Sequence, residues 1–299
     1  MPPVKIVEIG PRDGFQSVKE FIPTELKKEA IDRLVAAGIG KIQVTSFVSP
    51  KAIPQMRDAR EVAEYVTAAY PELEAFALVP NLTGAKLAAA AGIKEIGPVM
   101  SLSESHNQAN INRTVAQSIE ETAKIRQEFP DLKITQDIAV VFGCPFEGRM
   151  PVEPLVELIG KIRDLGVRAF TLCDTVGVAY PKQIKAVFEK VRSAFPETEF
   201  NAHIHDTRNM GIINSYTAIL NGADSVQTAI GGLGGCPFAP GASGNTATED
   251  LAYMLRLEGY DTGLDMEKLV ETVVFLRDRI EGNYSGHHAV ISAPFPESP

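Results

Sequence analysis

The chain has 299 residues and a formal net charge of −9, with 44% hydrophobic and 22% charged residues. This balance is typical of a globular protein with a large buried core, and it excludes an intrinsically disordered chain. Because acidic residues prevail and no long run of like charge occurs, we expect neither a nucleic-acid partner nor an anionic membrane surface. An anionic substrate would be held by a few placed cations or by a metal ion.

The sequence predicts neither a membrane span nor an export signal. The longest apolar stretches are far shorter than the roughly 20 residues that a membrane span requires. The first residues lead directly into a strand-like segment without the basic and apolar regions of an export signal. The three cysteines, Cys144, Cys173 and Cys236, are odd in number and widely spaced. We therefore expect no disulfide framework and a cytoplasmic location, and we interpret Cys144 and Cys173 as structural.

An amphipathic helix, a short break and an apolar strand recur along the chain. Glycine ends a helix because it adopts a left-handed conformation without strain, and a proline just past the end prevents continuation. Such breaks occur at Gly38, Pro71, Gly92, Pro130, Gly166, Pro196 and Gly222. Their mean spacing of about 31 residues is the length of one strand-plus-helix unit.

These units predict the fold. Seven helix-to-strand joints and an opening strand at Val4–Ile9 make eight strands, and their alternation with helices predicts a parallel sheet. Eight such units close into a barrel, so we predict a single-domain α/β protein, a (β/α)8 TIM barrel over residues 1–290 with a C-terminal helix. We expect residues 291–299 to form an extended tail. An open doubly wound sheet is the alternative, and it usually has fewer strands.

Two histidines end the seventh predicted strand, at the end of the barrel where loops carry chemistry. His203 and His205 are two residues apart, so their side chains point to the same face. Two such imidazoles and an oxygen donor such as Asp13 are typical of a divalent metal site. The alternative is that each ring is satisfied by a local hydrogen bond.

Two other predicted strand ends carry candidate residues. Arg12 beside Asp13 fits either a surface ion pair or a site in which Arg12 stabilises an oxyanion. The loop after the last strand, Gly231–Asn245, holds six glycines in fifteen residues, which is typical of a mobile lid. Cysteine is usually a small buried hydrophobe, but Cys236 in this loop is a candidate for proton transfer.

Six segments form a specific pattern in order along nearly the whole chain. They are EIGPRDGFQ (Glu8–Gln16), TSFVSPKAIPQM (Thr45–Met56), GCPFEG (Gly143–Gly148), CDTVGV (Cys173–Val178), HIHDT (His203–Thr207) and GGLGGCPFAPGASGNTATEDL (Gly231–Leu251). In these segments the sequence resembles the 3-hydroxy-3-methylglutaryl-CoA (HMG-CoA) lyases, metal-dependent barrel enzymes related to isopropylmalate and homocitrate synthases. The resemblance implies a barrel, a Mg2+ or Mn2+ ion, an acyl-CoA substrate, and cleavage between C2 and C3 to acetyl-CoA and acetoacetate.

The same resemblance implies roles for individual residues. The implied metal ligands are Asp13, His203, His205 and Asn245. The implied catalytic groups are Arg12 on the enolate, Cys236 as proton donor to the carbanion, His203 in moving the hydroxyl proton, and Asp174 as an orienting group. The implied substrate-binding residues are Arg12, Gln43, Ser46 and, near the phosphate end of the coenzyme, Lys19.

The sequence departs from the family pattern at three places. Gln43 replaces a usual glutamate, so it could still orient Arg12 but could not act as a base. Arg208 follows HIHDT where the family has an aromatic or small residue, and Asp137 stands near the place of a common tyrosine. These changes keep the implied metal ligands and alter their surroundings, so they bear on the substrate more than on the reaction type.

The sequence is compatible with several functions. We favour cleavage of HMG-CoA, with the same retro-Claisen cleavage of another 3-hydroxyacyl-CoA, such as a citramalyl-CoA, as the close alternative. A second alternative is a condensing enzyme that adds acetyl-CoA to a 2-oxo acid. A third, motivated by Gln43, is a barrel that binds acyl-CoA without turnover. The oligomeric state is open, with a homodimer or a higher homo-oligomer among the expectations.

Overall fold

A computed structural model describes residues 3–235 and 244–291 of the chain. Strands alternate with helices through most of this length. The strands are β1 (Lys5–Glu8), β2 (Lys41–Ser46), β3 (Glu74–Val79), β4 (Glu95–Ser101), β5 (Lys133–Ala139), β6 (Ala169–Asp174), β7 (Glu199–Ile204) and β8 (Ser225–Thr228). The helices are α1 (Thr24–Ala36), α2 (Ala59–Ala69), α3 (Leu82–Ala90), α4 (Glu104–Ile111), α5 (Val115–Glu128), α6 (Val152–Asp164), α7 (Pro181–Ala194), α8 (Gly211–Leu220), α9 (Thr248–Leu257) and α10 (Met266–Arg277).

The strands form one closed barrel in chain order. Each strand pairs in parallel with its neighbours, and β1 closes the barrel against β8 through four register pairs from Lys5↔Ser225 to Glu8↔Thr228. This confirms the predicted (β/α)8 TIM barrel and excludes the open doubly wound sheet. The predicted first strand, Val4–Ile9, is one residue longer at each end than β1.

Glycines end four of the helices as the sequence predicts. The backbone of each lies in the left-handed region, with φ between 85° and 94°. An L-residue there is strained because its Cβ approaches the backbone, so glycine allows the chain to turn from helix to strand within a few residues. These positions are Gly38, Gly92, Gly166 and Gly222.

The main hydrophobic core lies between the barrel and the surrounding helices. Helix α6 shows how the sequence builds it, since Leu155, Leu158, Ile159 and Ile162 are buried at the spacing that places them on one face of a helix. A smaller, separate cluster joins Val7 and Ile9, Phe76 and Ala229. Because β1 and β3 are not neighbouring strands, this cluster spans the barrel interior. Most of the remaining buried positions along the strands that face the interior are polar, and these carry the site.

Some details were not predicted or lie outside the described residues. Helix α4 occupies the loop after β4, where the sequence indicated only a run of polar residues. Cys144 and Cys173 are buried, in agreement with their interpretation as structural. Cys236 and most of the expected tail lie outside the described residues. In the part of the chain that the structure describes, the helices are too short or too polar to cross a membrane.

Candidate metal centre at the barrel mouth

A π-helical turn at Gly10–Gly14 follows β1 and places Arg12 and Asp13 at the mouth of the barrel. Glu8, the last residue of β1, holds this turn in place. Its Oε1 accepts hydrogen bonds from the backbone N–H of Gly10 at 2.6 Å and of Ile230 at 3.0 Å. A Cβ on Gly10 would lie 2.6 Å from the same Oε1, so a side chain there would displace Glu8. The end of β1 is thereby tied to the loop after β8.

The two histidines come from the end of β7 and face the same turn. His203 and His205 are both 6% exposed. His203 Nε2 lies 3.1 Å from His205 Nε2 and 3.0 Å from Asn245 Oδ1, and Asn245 Nδ2 donates to Asp13 Oδ2 at 2.8 Å. Asp13, His203 and His205 each offer a ligand atom within 4.8 Å of the others. The first, seventh and eighth units therefore converge at one point.

The spacing and chemistry of these donors fit a divalent cation. Ligands about 2.0–2.1 Å from an octahedral ion and at right angles are about 3 Å apart, which matches both contacts of His203 Nε2. Two imidazole nitrogens that face each other with lone pairs repel unless a proton or cation lies between them. His205 Nδ1 is also buried without a hydrogen-bond partner within residues 3–235 and 244–291, so local hydrogen bonds do not satisfy that ring.

Electrostatics keep the donors in the form that binds a cation. Burial lowers the pKa of both histidines, that of His205 to about 4, so the rings are neutral near pH 7. Burial by itself would raise the pKa of Asp13, but the positive charge of Arg12 and the Asn245 hydrogen bond lower it well below its usual value. A neutral pair of imidazoles beside an ionised carboxylate is the state that metal binding requires.

Arg12 is held on two sides. Its Nε donates to Gln43 Oε1 and its Nη1 to Asp13 Oδ1. The Arg12 side chain is 8% exposed and that of Asp13 16%, so this is an enclosed ion pair at the mouth and not a surface pair. Gln43 therefore orients Arg12, as its side-chain length allows, and the remaining guanidinium N–H groups are available to a ligand.

Gln43 and Asp137 both leave a buried polar atom unused. Gln43 Nε2 and Asp137 Oδ1 have no hydrogen-bond partner among the described residues. Both side chains face Gly97 on β4, where a Cβ would lie 3.1 Å from Asp137 Oδ2 and 3.7 Å from Gln43 Nε2. Burial raises the pKa of Asp137 to about 6, against a lowering hydrogen bond from Thr171. Two of the three departures from the family pattern thus lie together beside the metal centre.

The other residues implied by the resemblance are placed as follows. Asp174 accepts the backbone N–H groups of Val178 at 2.9 Å and Ala179 at 3.1 Å, so it holds the loop after β6. Burial raises its pKa to about 6. Ser46 ends β2, and its buried Oγ is unpaired in the described part of the chain. Lys19 is exposed beyond the π-helical turn.

A pocket of about 590 Å³ lies beside this mouth, formed by the loops after β5, β6 and β7. Phe142, Val176 and Val178 contribute apolar surface, and Arg149 and Arg208 contribute positive charge. Arg208 Nη1 donates to the backbone oxygen of Gly177 at 2.8 Å, joining two of the loops. The third departure from the family pattern therefore lies on the rim and not in the metal centre.

Two residues that contact or support His203 were not predicted from the sequence, Gln227 and Thr171. His203 Nδ1 lies 2.9 Å from Gln227 Oε1, and Gln227 Nε2 donates to Thr171 Oγ1 at 3.3 Å. Both residues are buried polar groups inside strands. Alternation along β8 places Gln227 on the interior face, but only the register His203↔Gln227 shows that the two side chains meet.

Comparisons with known proteins agree with this geometry. The family model described as HMGL-like matches residues 3–275. The chain is 38% identical over 279 residues to a hydroxymethylglutaryl-CoA lyase of Bacillus subtilis, covering 93% of each protein. It is 39% identical over 275 residues to the cytoplasmic 3-hydroxy-3-methylglutaryl-CoA lyase of Mus musculus, covering 91% of this chain and 80% of that one. Animal relatives include both cytoplasmic and mitochondrial proteins.

Solved structures give the same result for the fold. A structure of an HMG-CoA lyase from Acinetobacter baumannii, in complex with coenzyme A and 3-methylmalate, superimposes with a TM-score of 0.92 at 36% identity and covers 98% of each chain. The chain therefore belongs to the HMGL-like family of HMG-CoA lyases.

Proposed function

We propose that this enzyme cleaves 3-hydroxy-3-methylglutaryl-CoA to acetyl-CoA and acetoacetate, using one Mg2+ or Mn2+ ion. The observation that carries the proposal is the convergence of Asp13, His203 and His205 at the mouth of a barrel whose residues 3–275 match the HMGL-like family. Asn245 would be the fourth ligand, because its Oδ1 faces His203 Nε2 while its Nδ2 donates to Asp13.

The chemistry requires one proton to leave and another to return. Asp13, His203, His205 and Asn245 would hold the divalent cation, which would supply the positive charge that polarises the C3 hydroxyl oxygen and favours loss of its proton. The C3–O bond then becomes a carbonyl, the C2–C3 bond breaks, and its electron pair moves onto C2 and the thioester oxygen as an enolate. Arg12 is the group that we assign to this oxygen, because it is oriented by Gln43 and Asp13 and keeps unused donors.

Proton transfers are assigned to His203 and Cys236. We propose that His203 is a metal ligand through Nε2 and that it also helps to move the hydroxyl proton; its other ring nitrogen, Nδ1, lies 2.9 Å from Gln227 Oε1. Cys236 is the proposed donor of the proton to C2, and it lies outside the described residues. Asp174 orders the loop after β6 and would position the substrate through that loop.

The substrate contacts are proposed from the unpaired atoms and the exposed cation. Gln43 and Ser46 offer buried polar atoms to the acyl group, and Lys19 offers a positive charge to the phosphates of coenzyme A. Another branched 3-hydroxyacyl-CoA, such as a citramalyl-CoA, is the second candidate substrate, because Gln43 and Asp137, two of the departures from the family pattern, lie side by side next to the proposed metal ligands. A cytoplasmic location and a homodimer or higher homo-oligomer complete the proposal.

A coupled assay of acetyl-CoA release tests the proposal. The enzyme is supplied with HMG-CoA, a citramalyl-CoA and a straight-chain 3-hydroxyacyl-CoA, each with Mg2+, with Mn2+ and with EDTA. We expect release from HMG-CoA that EDTA abolishes and either cation restores. Release only from citramalyl-CoA would assign the second substrate. No release from any thioester, or acetyl-CoA-dependent condensation with 2-oxoisovalerate, would overturn the lyase assignment.

A further inference from the structure

We infer that the pocket of about 590 Å³ beside the metal centre is a separate binding site for an organic anion. Arg149 and Arg208 hold the carboxylate or phosphate group of this anion, and an apolar wall holds the hydrocarbon chain that carries the group. The inference goes beyond the proposed function, because neither the proposed metal ligands nor Lys19, the residue proposed for the coenzyme phosphates, lines this pocket.

The charge of the pocket lining is entirely positive. Arg149 and Arg208 are its charged residues, and none of the described aspartates and glutamates takes part in the lining. Among residues 3–235 and 244–291, neither guanidinium group forms an ion pair, and Arg149 makes no hydrogen bond. Two guanidinium groups on one cavity repel each other, so they favour an anion in the pocket even though the whole chain has a net charge of −9.

Two acids close to these arginines are engaged by other groups. Asp174 accepts the backbone N–H groups of the loop after β6, and burial raises its pKa to about 6 in spite of the positive charge of Arg208. Glu147, two residues before the other arginine, accepts Ser103 Oγ at 2.7 Å and the backbone N–H of Ser105 at 2.9 Å. Neither acid lines the pocket, so the two positive charges are left for a ligand.

Backbone contacts hold the Arg208 side chain at the rim of the pocket. Its Nη1 donates to the backbone oxygens of Gly177 at 2.8 Å and of Val176 at 3.2 Å. Asn209, the next residue, has a left-handed backbone with φ of 57°, which asparagine adopts more readily than most residues. In the part of the chain that the structure describes, Arg208 Nε and Nη2 make no hydrogen bond, so these N–H groups can donate to one oxyanion.

A buried hydroxyl and a fixed wall complete the polar side of the pocket. Thr207 Oγ1 is buried and has no hydrogen-bond partner within the described ranges, and its residue lines the pocket beside Arg208. A hydroxyl there can donate to an anion. Gln183 Nε2 donates to the backbone oxygen of Phe142 at 2.7 Å, which joins the loop after β5 to α7. The pocket is therefore formed before a ligand binds, as is usual for small-molecule sites.

The remaining lining is largely apolar and accounts for the organic part of the ligand. Phe142, Val176, Val178 and Pro145 contribute to it, and the ring of Tyr180, which is 44% exposed, lies at the opening. Cavities of about 300–1,000 Å³ with a few placed polar groups are typical of sites for small organic molecules, and a lone inorganic ion needs far less space. Guanidinium groups match the shape of both carboxylate and phosphate, so the test includes both.

A tryptophan reporter tests the inference. The chain contains no tryptophan, so Tyr180→Trp places a single fluorophore at the pocket. Metal-free protein is titrated with hexyl phosphate, hexanoate, inorganic phosphate and hexanol. We expect a saturable change in emission with hexyl phosphate or hexanoate, with a Kd below about 1 mM, and the tighter of the two identifies the anionic group. Inorganic phosphate and hexanol should bind at least about 10-fold more weakly, because each lacks one half of the ligand.

Charge variants in the Tyr180→Trp background assign the binding to the two arginines. Arg149→Gln and Arg208→Gln should each weaken binding of the anion about 10-fold, because each removes one of the charged donors. Arg256→Gln makes the same change of charge in the last turn of α9 and should leave the affinity unchanged.

A second reporter controls for non-specific binding. Leu257→Trp, without the change at Tyr180, places the fluorophore at the end of α9, close to the amino end of the barrel where Asp261 pairs with Pro3. Its exposure of 49% is similar to the 44% of Tyr180, and its emission should not respond to either anion.

Four results would overturn the inference. They are no saturable response to either anion, equal binding of hexanol and the anions, unchanged affinity in the double variant Arg149→Gln/Arg208→Gln, and displacement of the bound anion by coenzyme A, which would make the pocket part of the coenzyme site. The titration uses neither a metal ion nor a thioester, so failure of the enzyme to cleave HMG-CoA would count only against the proposed function.

Discussion

The two ends of the barrel interior are both polar, yet they are built on different principles. At the amino end, where the strands begin, Glu95 lies between Lys41 and Lys133, with N–O distances of 2.6 and 3.4 Å. Glu95 also accepts the hydroxyl of Thr135 at 2.7 Å, and Lys133 reaches Glu199 at 3.2 Å. Each of these buried or half-buried charges faces an opposite charge.

The carboxyl end, where the strands finish, is equally enclosed, but several of its buried polar atoms lack hydrogen-bond partners among the described residues. Gln43 Nε2, Ser46 Oγ, Asp137 Oδ1 and His205 Nδ1 are buried and have no partner in the described ranges. A buried polar atom without a partner costs about 1–3 kcal/mol, which a fold tolerates where a ligand supplies the partner. Paired charges therefore stabilise the amino end of the barrel interior, whereas the unpaired polar atoms at the carboxyl end lie where we expect the substrate and the metal ion.

The largest effect is expected from removing a ligand at the carboxyl end. His205→Gln should lower kcat/KM for HMG-CoA on the order of 10³-fold, because cation-assisted charge stabilisation is worth several kcal/mol. The free energy of unfolding should change by less than about 1 kcal/mol, since one ring nitrogen is unpaired within the described residues and the other faces only His203. Acetyl-CoA release and urea unfolding of metal-free protein give the two numbers. A large loss of stability would show that this end also supports the fold.

The opposite result is expected at the amino end. Glu95→Gln removes the negative charge between Lys41 and Lys133, and should lower the free energy of unfolding by about 3 kcal/mol. The kcat/KM of the folded enzyme should stay within about two-fold of the wild type. Glu64→Gln is the matched control, because the Arg60–Glu64 pair is about half exposed or more and should contribute less than about 1 kcal/mol. Equal losses in the two variants would contradict the assignment of stability to the buried network.

Glu8 lies between these two extremes, because it has hydrogen-bond partners but no opposite charge beside it. Burial raises the pKa of Glu8 to about 7, although it accepts hydrogen bonds from Gly10, Ile230 and Thr248. The folded protein therefore holds a proton that the unfolded chain releases near pH 4.5, so stability falls as the pH rises from about 4.5 to 7 and is flat above. Glu8→Gln mimics the protonated form, because its NH2 group can donate to Thr248 Oγ1, which can donate to Thr228.

Unfolding by urea at two pH values measures this difference. Glu8→Gln should match the wild type at pH 4.5 and be more stable by about 2–3 kcal/mol at pH 8.5. Glu25→Gln, on the exposed surface of α1, should show no such dependence on pH over this range. A constant difference between Glu8→Gln and the wild type at both pH values would mean that Glu8 is ionised in the folded state.

The fold was predictable because its signals are local. Gly38 and Gly166 end helices by a backbone conformation that the residue type itself favours, and the two-residue spacing of His203 and His205 follows from strand geometry alone. The four implied metal ligands needed the resemblance as well, since Asn245 follows a long loop and no spacing connects it to the others.

The supporting residues were not predictable, because their roles depend on register across several strands. Thr171 and Gln227 are common buried polar residues within β6 and β8, and nothing in either segment indicates that they form a chain to His203. Glu8 resembles an ordinary charged residue at a strand end until the barrel closes and buries it beneath Ile230. Long-range pairing, which a single sequence does not display, decides these cases.

The smallest expected effect tests whether the unpaired atoms at the carboxyl end face the substrate. Gly97→Ala would place a methyl group 3.1 Å from Asp137 Oδ2 and 3.7 Å from Gln43 Nε2, and its backbone is not in the left-handed region. We expect kcat/KM for HMG-CoA to fall about 10-fold, equivalent to about 1.4 kcal/mol, with little change in stability. Gly40→Ala, at the amino end of β2 with no neighbour within 4 Å of the added Cβ, should leave both quantities unchanged. Equal activity of Gly97→Ala and wild type would show that the space between Gln43 and Asp137 is not used by the substrate, and the carboxyl end would then owe its unpaired atoms to something other than binding.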